Sequence, residues 1–342
     1  MAVSAEFVGH DSEVDCEPDE TLLRAGLRAG LALPYECASG GCGSCRAQLL
    51  GGDVRSLWPE ASGLSERDRR RGNRILMCQS VPTGNCRVKA PALGDPQVAE
   101  EPVPQRFRAI LVRREMLTED TALFTLAFQN PIRYLPGQFM ILESRDGVRR
   151  AYSMAHPASE LGSGQVEFII RAKPGGAGSQ WLFATLTPDA ELIAEGPYGR
   201  AYARPTSDRP VVCIAGGTGL APVLAIAECL LRRQDGPAID FYFGVRRRSD
   251  LVVVERLEKL QTSGARVLVS VQEAADTADR LDTGLVTRAG VVIDHVAEDW
   301  QDLSSHDVYL AGPSGMVDAA MRSLVRERHA CADRVYFDRF LS

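Results

Sequence analysis

Three cysteines and three glycines lie within eleven residues near the start of the chain, in the stretch YECASGGCGSC from position 35 to position 45. The cysteines, Cys37, Cys42 and Cys45, have the spacing C-x4-C-x2-C. Cysteine thiolates are soft metal ligands, and one short loop can supply three of them only if its backbone bends back around the metal. The glycines permit that bend and let backbone N–H groups point towards the sulfur atoms. The loop therefore predicts a metal centre.

A fourth ligand must come from elsewhere in the chain, because the spacing is typical of plant-type 2Fe-2S sites, which take four cysteines. A zinc site is the alternative, but zinc ribbons usually pair two C-x2-C motifs and only one such motif is present. Cys78 is favoured because it follows the apolar residues 75–77, whereas Cys86 follows a turn-like PTGN. The sequence thus predicts a 2Fe-2S cluster bound by Cys37, Cys42, Cys45 and Cys78, with Cys86 as the alternative fourth ligand.

Composition limits the class of protein. The chain has 342 residues, more than one hydrophobic core usually supports, which indicates two or three domains. A formal net charge of −6 argues against general binding to nucleic acid or anionic membranes. The nine cysteines are an odd number that suits a reducing compartment, and the sequence has neither a signal-peptide pattern nor a long apolar run. We therefore expect a cytoplasmic, monomeric protein without a membrane or nucleic-acid partner.

Four regions differ in sequence pattern. Residues 1–92 contain the cysteine loop, and residues 93–104 predict a linker because they are rich in proline and acidic residues and lack periodicity. Residues 105–204 hold short β-rich runs separated by Gly, Pro and Asp, which predicts an antiparallel β-barrel. Residues 205–342 alternate strand-like and helical segments, which predicts a parallel sheet with helices on its faces. The expected fold class is multidomain, α+β and α/β.

Two motifs in the barrel region suit a flavin nucleotide. In RAYS, Arg150 can pair with a pyrophosphate, while Tyr152 and Ser153 can supply an aromatic face and a hydroxyl group near the redox-active nitrogen. In KPGGAGS, Gly176 and Ser179 precede an apolar, helix-like segment whose free N–H groups can bind phosphate. Each motif alone also fits an ordinary strand edge or a capped hairpin, so the residues themselves leave these alternatives open.

Two strand-to-helix turns in the last region suit a nicotinamide nucleotide. GGTGLAP follows the strand-like VVCIA and opens a helix whose N–H groups would face a pyrophosphate. AGPSGM likewise joins a strand to a helix, with a purely structural turn as the alternative. The cofactor-binding residues predicted from these turns are Gly216, Gly217, Thr218, Gly219, Pro222, Gly312 and Pro313.

The segment RRRSD after the second strand bears on the choice between NADH and NADPH. Arginines near a ribose can accept a 2′-phosphate, whereas an acidic residue such as Asp250 accepts a hydrogen bond from a free 2′-OH. Asp250 lies further from the glycine turn than the usual ~20 residues. The residues themselves therefore leave both nucleotides open.

These motifs resemble known protein families. The helix-like residues 20–29, the cysteine loop and LMCQ at 76–79 resemble the β-grasp fold of plant-type ferredoxins. LPGQ, RAYS, KPGGAGS and EGPYG resemble the FAD domain of the ferredoxin-NADP reductase superfamily, in which a turn like GGTGLAP binds NAD(P)H in a Rossmann-like domain. The resemblance places Arg150 and Ser179 at the FAD pyrophosphate and Tyr152 and Ser153, as catalytic residues, at the isoalloxazine. Relatives commonly have cysteine where this chain has Ala311, so a thiol contact to the nicotinamide is absent.

The order ferredoxin, FAD domain, NAD domain is that of single-chain reductases that supply bacterial oxygenases. LWP around Trp58 and the terminal FDRF resemble the reductases of toluene, alkene and isoprene monooxygenases. This resemblance implies electron transfer from NADH, favoured over NADPH, through FAD and 2Fe-2S to a carboxylate-bridged di-iron hydroxylase or an intermediary redox protein. It also places Phe340 near the isoalloxazine.

Several interpretations stay open at this point. Phe340 can instead complete the sheet, Trp58 can cover a hydrophobic edge, and His156 can be either a flavin contact or a structural histidine. A reductase for a Rieske dioxygenase has the same internal chemistry and another partner. A redox-sensing regulatory protein that turns over slowly is an alternative of a different class.

Overall fold

The structure is a computed structural model that describes residues 3–91, 102–157, 163–273 and 284–340. Most of the predicted linker at 93–104 lies outside these ranges, and its described part, residues 102–104, has no regular secondary structure. The described residues form three main sheets in chain order. Among these residues, no helix is both long and apolar enough to cross a membrane.

The first unit is a five-stranded sheet with one helix packed against it and a small two-stranded sheet beside it. Its elements are β1 (Val3–Val8), β2 (Ser12–Cys16), α1 (Leu22–Arg28), β3 (Arg46–Gly51), β4 (Val54–Ser56), α2 (Glu66–Arg71), β5 (Arg74–Leu76), β6 (Ser80–Pro82) and β7 (Cys86–Lys89). The strand order is β2-β1-β7-β3-β5, with β1 and β7 parallel and the other neighbours antiparallel. Helix α1 begins where the Thr21 hydroxyl accepts a hydrogen bond from the Arg24 N–H, and its apolar side chains fill the core.

The second unit is a six-stranded antiparallel sheet. Its elements are β8 (Gln105–Met116), β9 (Thr121–Ile132), β10 (Phe139–Glu143), β11 (Arg149–Ser153), β12 (Ser163–Arg171), α3 (Ala177–Gln180) and β13 (Glu191–Tyr198). The strand order is β11-β10-β13-β8-β9-β12. An isolated bridge links Met154, directly after edge strand β11, to Phe168 within the other edge strand β12, so the sheet curls into a barrel. This agrees with the barrel predicted from the short β-rich runs.

The third unit is a six-stranded parallel sheet with helices on its faces. Its elements are β14 (Val211–Gly216), α4 (Leu220–Leu230), β15 (Ile239–Val245), α5 (Val254–Thr262), β16 (Arg266–Val271), β17 (Val286–Ala289), α6 (Val292–Asp299), β18 (Asp307–Pro313), α7 (Ser314–Met321) and β19 (Val335–Phe340). The strand order is β17-β16-β15-β14-β18-β19. The central strands are buried on both faces, as expected of a parallel sheet covered by helices.

The three units share buried surface. Phe139 and Tyr198 of the barrel belong to the same apolar cluster as the core of the first unit. The hydroxyl of Tyr35, two residues before the first cysteine of the loop, accepts a hydrogen bond from the Gly199 N–H at 3.2 Å. Ala155 of the barrel is buried in the cluster that includes the α4 residues of the third unit. The barrel is therefore in contact with both of the other units.

Candidate functional site

The four predicted metal ligands come together in two pairs. Strand β5 pairs antiparallel with β3, and the Met77 N–H donates to the Cys45 carbonyl at 3.1 Å, so the short 3-10 turn at Met77–Gln79 brings Cys78 against Cys45. Their Sγ atoms are 3.2 Å apart. At the other end of the loop, the Cys42 N–H donates to the Cys37 Sγ at 3.4 Å. The pairing of β3 with β5 thus brings Cys45 and Cys78 together, and the conformation of the loop brings Cys37 and Cys42 together.

In each pair one sulfur is stabilised as a thiolate by a hydrogen bond from its partner thiol. The pKa of Cys42 is lowered to about 5, chiefly because its sulfur accepts a hydrogen bond from the Cys37 thiol, and that of Cys45 is lowered because Cys78 donates to it. The same hydrogen bonds, together with burial, raise the pKa of the donors Cys37 and Cys78. Backbone N–H groups of Ser39 and Ser44 also point at sulfur, at 3.5 and 3.4 Å. Thiolates are the form that binds metal, so the donor set suits a cationic centre.

The arrangement fits a two-iron cluster better than a single zinc ion. A structural zinc ion gathers four ligands around one point, and within the described ranges no group of three or more His, Cys, Asp or Glu residues is arranged to hold one ion. Two thiol pairs match a cluster in which each iron takes two thiolates. Cys86 lies in β7 opposite Ala5 of β1, and burial raises the pKa of its thiol.

Two loop glycines are required by the backbone. Gly40 and Gly43 have φ angles of +93° and +78°, a region that side chains rarely adopt. A Cβ atom on Gly43 would also lie 2.6 Å from the Gly63 carbonyl oxygen. The loop therefore packs tightly against the segment that precedes α2.

A cavity of about 370 Å³ lies next to this loop and is lined by all three units. Five of the predicted flavin residues line it: Arg150, Tyr152, Ser153, Gly176 and Ser179. Of the residues predicted in the third unit, Thr218 and Phe340 reach the same cavity. The cluster loop also contributes, through Cys37, Ser39 and Gly41.

The barrel residues of the cavity are held in place by one another. The Ser179 hydroxyl accepts from the Lys173 N–H at 2.9 Å and lies within hydrogen-bonding distance of the Gly176 carbonyl, so it closes the glycine-rich turn. A Cβ atom on Gly178 would lie 2.7 Å from Arg150 Cγ and 2.9 Å from the Tyr152 hydroxyl, so this turn packs directly on the RAYS strand. Burial raises the pKa of Tyr152 to about 12, which keeps its hydroxyl neutral.

One acidic residue at the cavity was missed by the motif analysis. Asp338 of β19 accepts a hydrogen bond from the Ser153 hydroxyl at 3.3 Å, and desolvation raises the pKa of its carboxyl to about 7. Its neighbour Arg339 pairs with Glu36 of the cluster loop at 3.0 Å. Both belong to the terminal FDRF, from which the resemblance implies only Phe340 as a site residue.

The two predicted nucleotide turns lie side by side. Strands β14 and β18 are paired so that Ala215 is opposite Ala311, which brings both turns to the same edge of the sheet. A Cβ atom on Gly219 would lie 2.1 Å from the Ala311 carbonyl oxygen. The other predicted residues of these turns are Gly216 and Gly217 before α4, Pro222 in its first turn, and Gly312 and Pro313 at the end of β18.

Asp250 and His156 both have partners inside the protein. The Asp250 carboxylate accepts from the Arg247 N–H at 3.0 Å and from Arg171 of the barrel at 3.3 Å, so it connects the second and third units. His156 Nδ1 lies 3.0 Å from the Tyr134 hydroxyl, and His156 lines a different cavity between the barrel and the third unit. This geometry favours a structural role for His156.

Comparison with known proteins agrees with the three units. A family of 2Fe-2S iron-sulfur cluster binding domains matches residues 6–83, an oxidoreductase FAD-binding domain matches 108–202, and an oxidoreductase NAD-binding domain matches 213–322. The predicted cofactors and the fold class are confirmed.

Full-length relatives show the same order of domains. The chain is 44% identical over 326 residues to the ferredoxin–NAD(+) reductase component of the alkene monooxygenase system of Xanthobacter autotrophicus, covering 95% of this chain and 97% of the relative. It is 33% identical to a reductase component of the naphthalene 1,2-dioxygenase/salicylate 5-hydroxylase systems of Ralstonia sp, covering 90% and 89%. A solved structure, the ferredoxin reductase in carbazole 1,9a-dioxygenase, superposes with a TM-score of 0.86 at 33% identity, covering 99% of this chain and 98% of that one.

Proposed function

The chain belongs to the iron-sulfur flavoprotein reductases of oxygenase systems, and we propose that it passes electrons from NADH to the di-iron hydroxylase of a hydrocarbon monooxygenase. The observation that supports this partner most is the 44% identity to an alkene monooxygenase reductase over nearly the whole chain. Relatives from naphthalene dioxygenase systems are 33% and 32% identical. A Rieske dioxygenase partner is therefore the second candidate.

The chain is an oxidoreductase with binding domains for 2Fe-2S, FAD and NAD. When bound, FAD takes two electrons as a hydride from NADH, and the iron-sulfur cluster passes electrons on one at a time. The two cysteine pairs would hold one iron each. The Arg150 guanidinium would bind the FAD pyrophosphate, and Tyr152 and Ser153 would position the isoalloxazine.

The residues around the cavity would position NADH and the flavin relative to each other. The nucleotide turns would bind the NADH pyrophosphate through free N–H groups at the starts of α4 and α7. The Ser153 hydroxyl, oriented by Asp338, would donate or accept a proton at the flavin. Phe340 and the cluster loop line the cavity from different units and would both contact the bound flavin.

The electron acceptor would approach the ferredoxin unit beside the cluster, where the exposed surface is rich in arginine. Arg46 directly follows Cys45 and reaches Asp68 of α2 at 3.5 Å. Helix α2 carries exposed arginines, which are Arg67, Arg70 and Arg71, and Arg70 pairs with Glu66 of the same helix at 3.1 Å. A cationic patch on a chain with a net charge of −6 favours an acceptor with an acidic docking surface.

Reconstitution tests the proposed partner. The purified protein should carry about one FAD and two iron atoms, and anaerobic NADH should bleach both chromophores. It should then reduce a di-iron hydroxylase and support its turnover, while a Rieske oxygenase receives few electrons. Efficient delivery only to the Rieske oxygenase would replace the first candidate with the second, and a protein without flavin absorbance near 450 nm would refute both.

A further inference from the structure

Trp58 of the ferredoxin unit forms part of the flavin cavity wall. It lies in the LWP segment between β4 and α2, 92 positions before Arg150 in the sequence. The Arg150 guanidinium carbon is 5.2 Å from the centroid of the Trp58 ring. This distance and arrangement allow a cation–π interaction between two different units.

The indole is fixed from the ferredoxin side. The Leu57 N–H donates to the Gln79 carbonyl at 2.8 Å, next to Cys78, and the Trp58 carbonyl accepts from the Ala61 N–H at 3.1 Å. A Cβ atom on Gly40 of the cluster loop would lie 3.1 Å from Trp58 Cε3, so the ring lies directly against that loop. Its position therefore depends on the same loop that holds the cysteines.

Arg150 has few other restraints. Its guanidinium donates to the Arg149 carbonyl at 2.7 Å. Within the described residues, no carboxylate forms an ion pair with it, whereas the adjacent Arg149 pairs with both Glu143 and Glu195. The Trp58 ring is thus a main support for the orientation of Arg150.

We propose that Trp58 is a positioning residue through which the ferredoxin unit completes the FAD site. The indole holds Arg150 towards the pyrophosphate, so that FAD binding and docking of the ferredoxin unit reinforce each other. Coupling of this kind is reciprocal: if the docked ferredoxin unit tightens FAD binding by some factor, FAD tightens docking by the same factor. This proposal rests on the proposed function in one respect, namely that FAD occupies the cavity.

The first test is FAD affinity in the full-length protein after removal of the flavin. Trp58→Ala should raise the Kd for FAD about tenfold, because it removes a partly desolvated cation–π contact. Trp58→Phe keeps an aromatic face and should raise it only about threefold. Trp300→Phe is the control and should bind FAD as the wild type does. Trp300 caps the C-terminus of α6 and does not line the cavity.

A double-mutant cycle separates positioning from a structural role. If Trp58 acts through Arg150, then Trp58→Ala should weaken FAD binding much less in an Arg150→Gln background than in the wild type. Equal fold-losses in both backgrounds would refute the proposal, as would wild-type affinity in Trp58→Ala. If the alanine variant loses its cluster spectrum, the phenylalanine variant, with its cluster intact, decides in its place.

Hydrogen exchange provides a second readout that does not depend on activity. The Gly199 N–H donates to Tyr35 across the interface, so its exchange reports docking of the ferredoxin unit. FAD should slow this exchange in the wild type and much less in Trp58→Ala. An equal effect of FAD in both proteins would refute the coupling. A wild-type protein that fails to bind FAD would instead refute the proposed function.

Discussion

Replacing Gly219 with alanine should disable the reaction with NADH while leaving the flavin and the cluster in place. Gly219 has a φ angle of −58°, which alanine adopts without strain, so the effect is steric. Its Cβ atom would lie 2.1 Å from the Ala311 carbonyl oxygen and 2.4 Å from the Ala311 carbonyl carbon. Both are backbone atoms of the second nucleotide turn, so no side-chain rotation can relieve the contact.

The size of the effect follows from that distance. Real Cβ atoms almost never approach another heavy atom closer than 3.0 Å, so the two turns must separate by 3.0 − 2.1 = 0.9 Å or more. Overpacking of this kind costs about 1–3 kcal/mol of stability. A displacement of about 1 Å in a substrate-positioning element lowers the rate about 100-fold. We therefore expect kcat/KM for NADH to fall by about two orders of magnitude.

The assay is anaerobic stopped-flow reduction of the flavin by NADH, followed near 450 nm, with dithionite as a chemical reductant for comparison. Dithionite should bleach both chromophores of the variant, because the predicted flavin ligands Arg150, Tyr152 and Ser153 and the four cysteines lie in other units. Gly284→Ala is the control: it lies in the third unit before β17, outside both nucleotide turns, and a Cβ atom there meets nothing within 4 Å. Wild-type kcat/KM in Gly219→Ala, or an equal loss in Gly284→Ala, would refute the reasoning.

Three further predictions concern the other parts of the site. Cys78→Ser should lose the cluster absorbance and keep FAD, whereas Cys86→Ser should keep both; loss of the cluster in Cys86→Ser would overturn the ligand assignment. The pKa of Asp338 is raised to about 7 in the folded protein, so the free energy of unfolding of the wild type should fall as pH rises from 5 to 8. Asp338→Asn lacks this carboxyl group. Its free energy of unfolding, measured with urea, should therefore rise relative to the wild type by roughly 2–3 kcal/mol over that pH range. A difference that does not change with pH would contradict this. Exchanging the exposed arginines of α2 for glutamine should slow electron delivery to the hydroxylase about tenfold at low salt and make its rate less dependent on salt. NADH-dependent reduction of ferricyanide is the control and should not change. If the salt dependence of electron delivery is unchanged, this surface is not the docking site.

A local motif can predict which residues share a position in the fold when they are close together in the chain. Arg150, Tyr152 and Ser153 share one strand, so a single motif predicts their common position at the cavity. Cys78 was predicted from its apolar neighbours, and the pairing of β5 with β3 places it against Cys45. The barrel and the parallel sheet are predicted from sequence patterning, which is also local along the chain, whereas the β-grasp unit is expected only from the resemblance.

Contacts between units could not be predicted in this way. Trp58 and Arg150 are 92 positions apart, and Ser153 and Asp338 are 185 positions apart, so no local pattern connects them. Asp250 was expected at a ribose because acidic residues suit a 2′-OH, but the structure gives its carboxylate an arginine from another unit. Its predicted contact with the nucleotide remains a prediction. Such partners depend on how the units pack, which the sequence of each unit does not specify.

The two cysteine pairs differ in their surroundings, and this difference gives the cluster a direction. Cys37 lines the flavin cavity, so the pair formed by Cys37 and Cys42 has one member at the site of the electron donor. Cys45 and Cys78 are each only 2% exposed, and the residue after Cys45, Arg46, reaches outwards to α2. The barrel lies on the flavin side of the cluster, so we expect an external acceptor to approach from the arginine-rich side while the flavin unit stays docked.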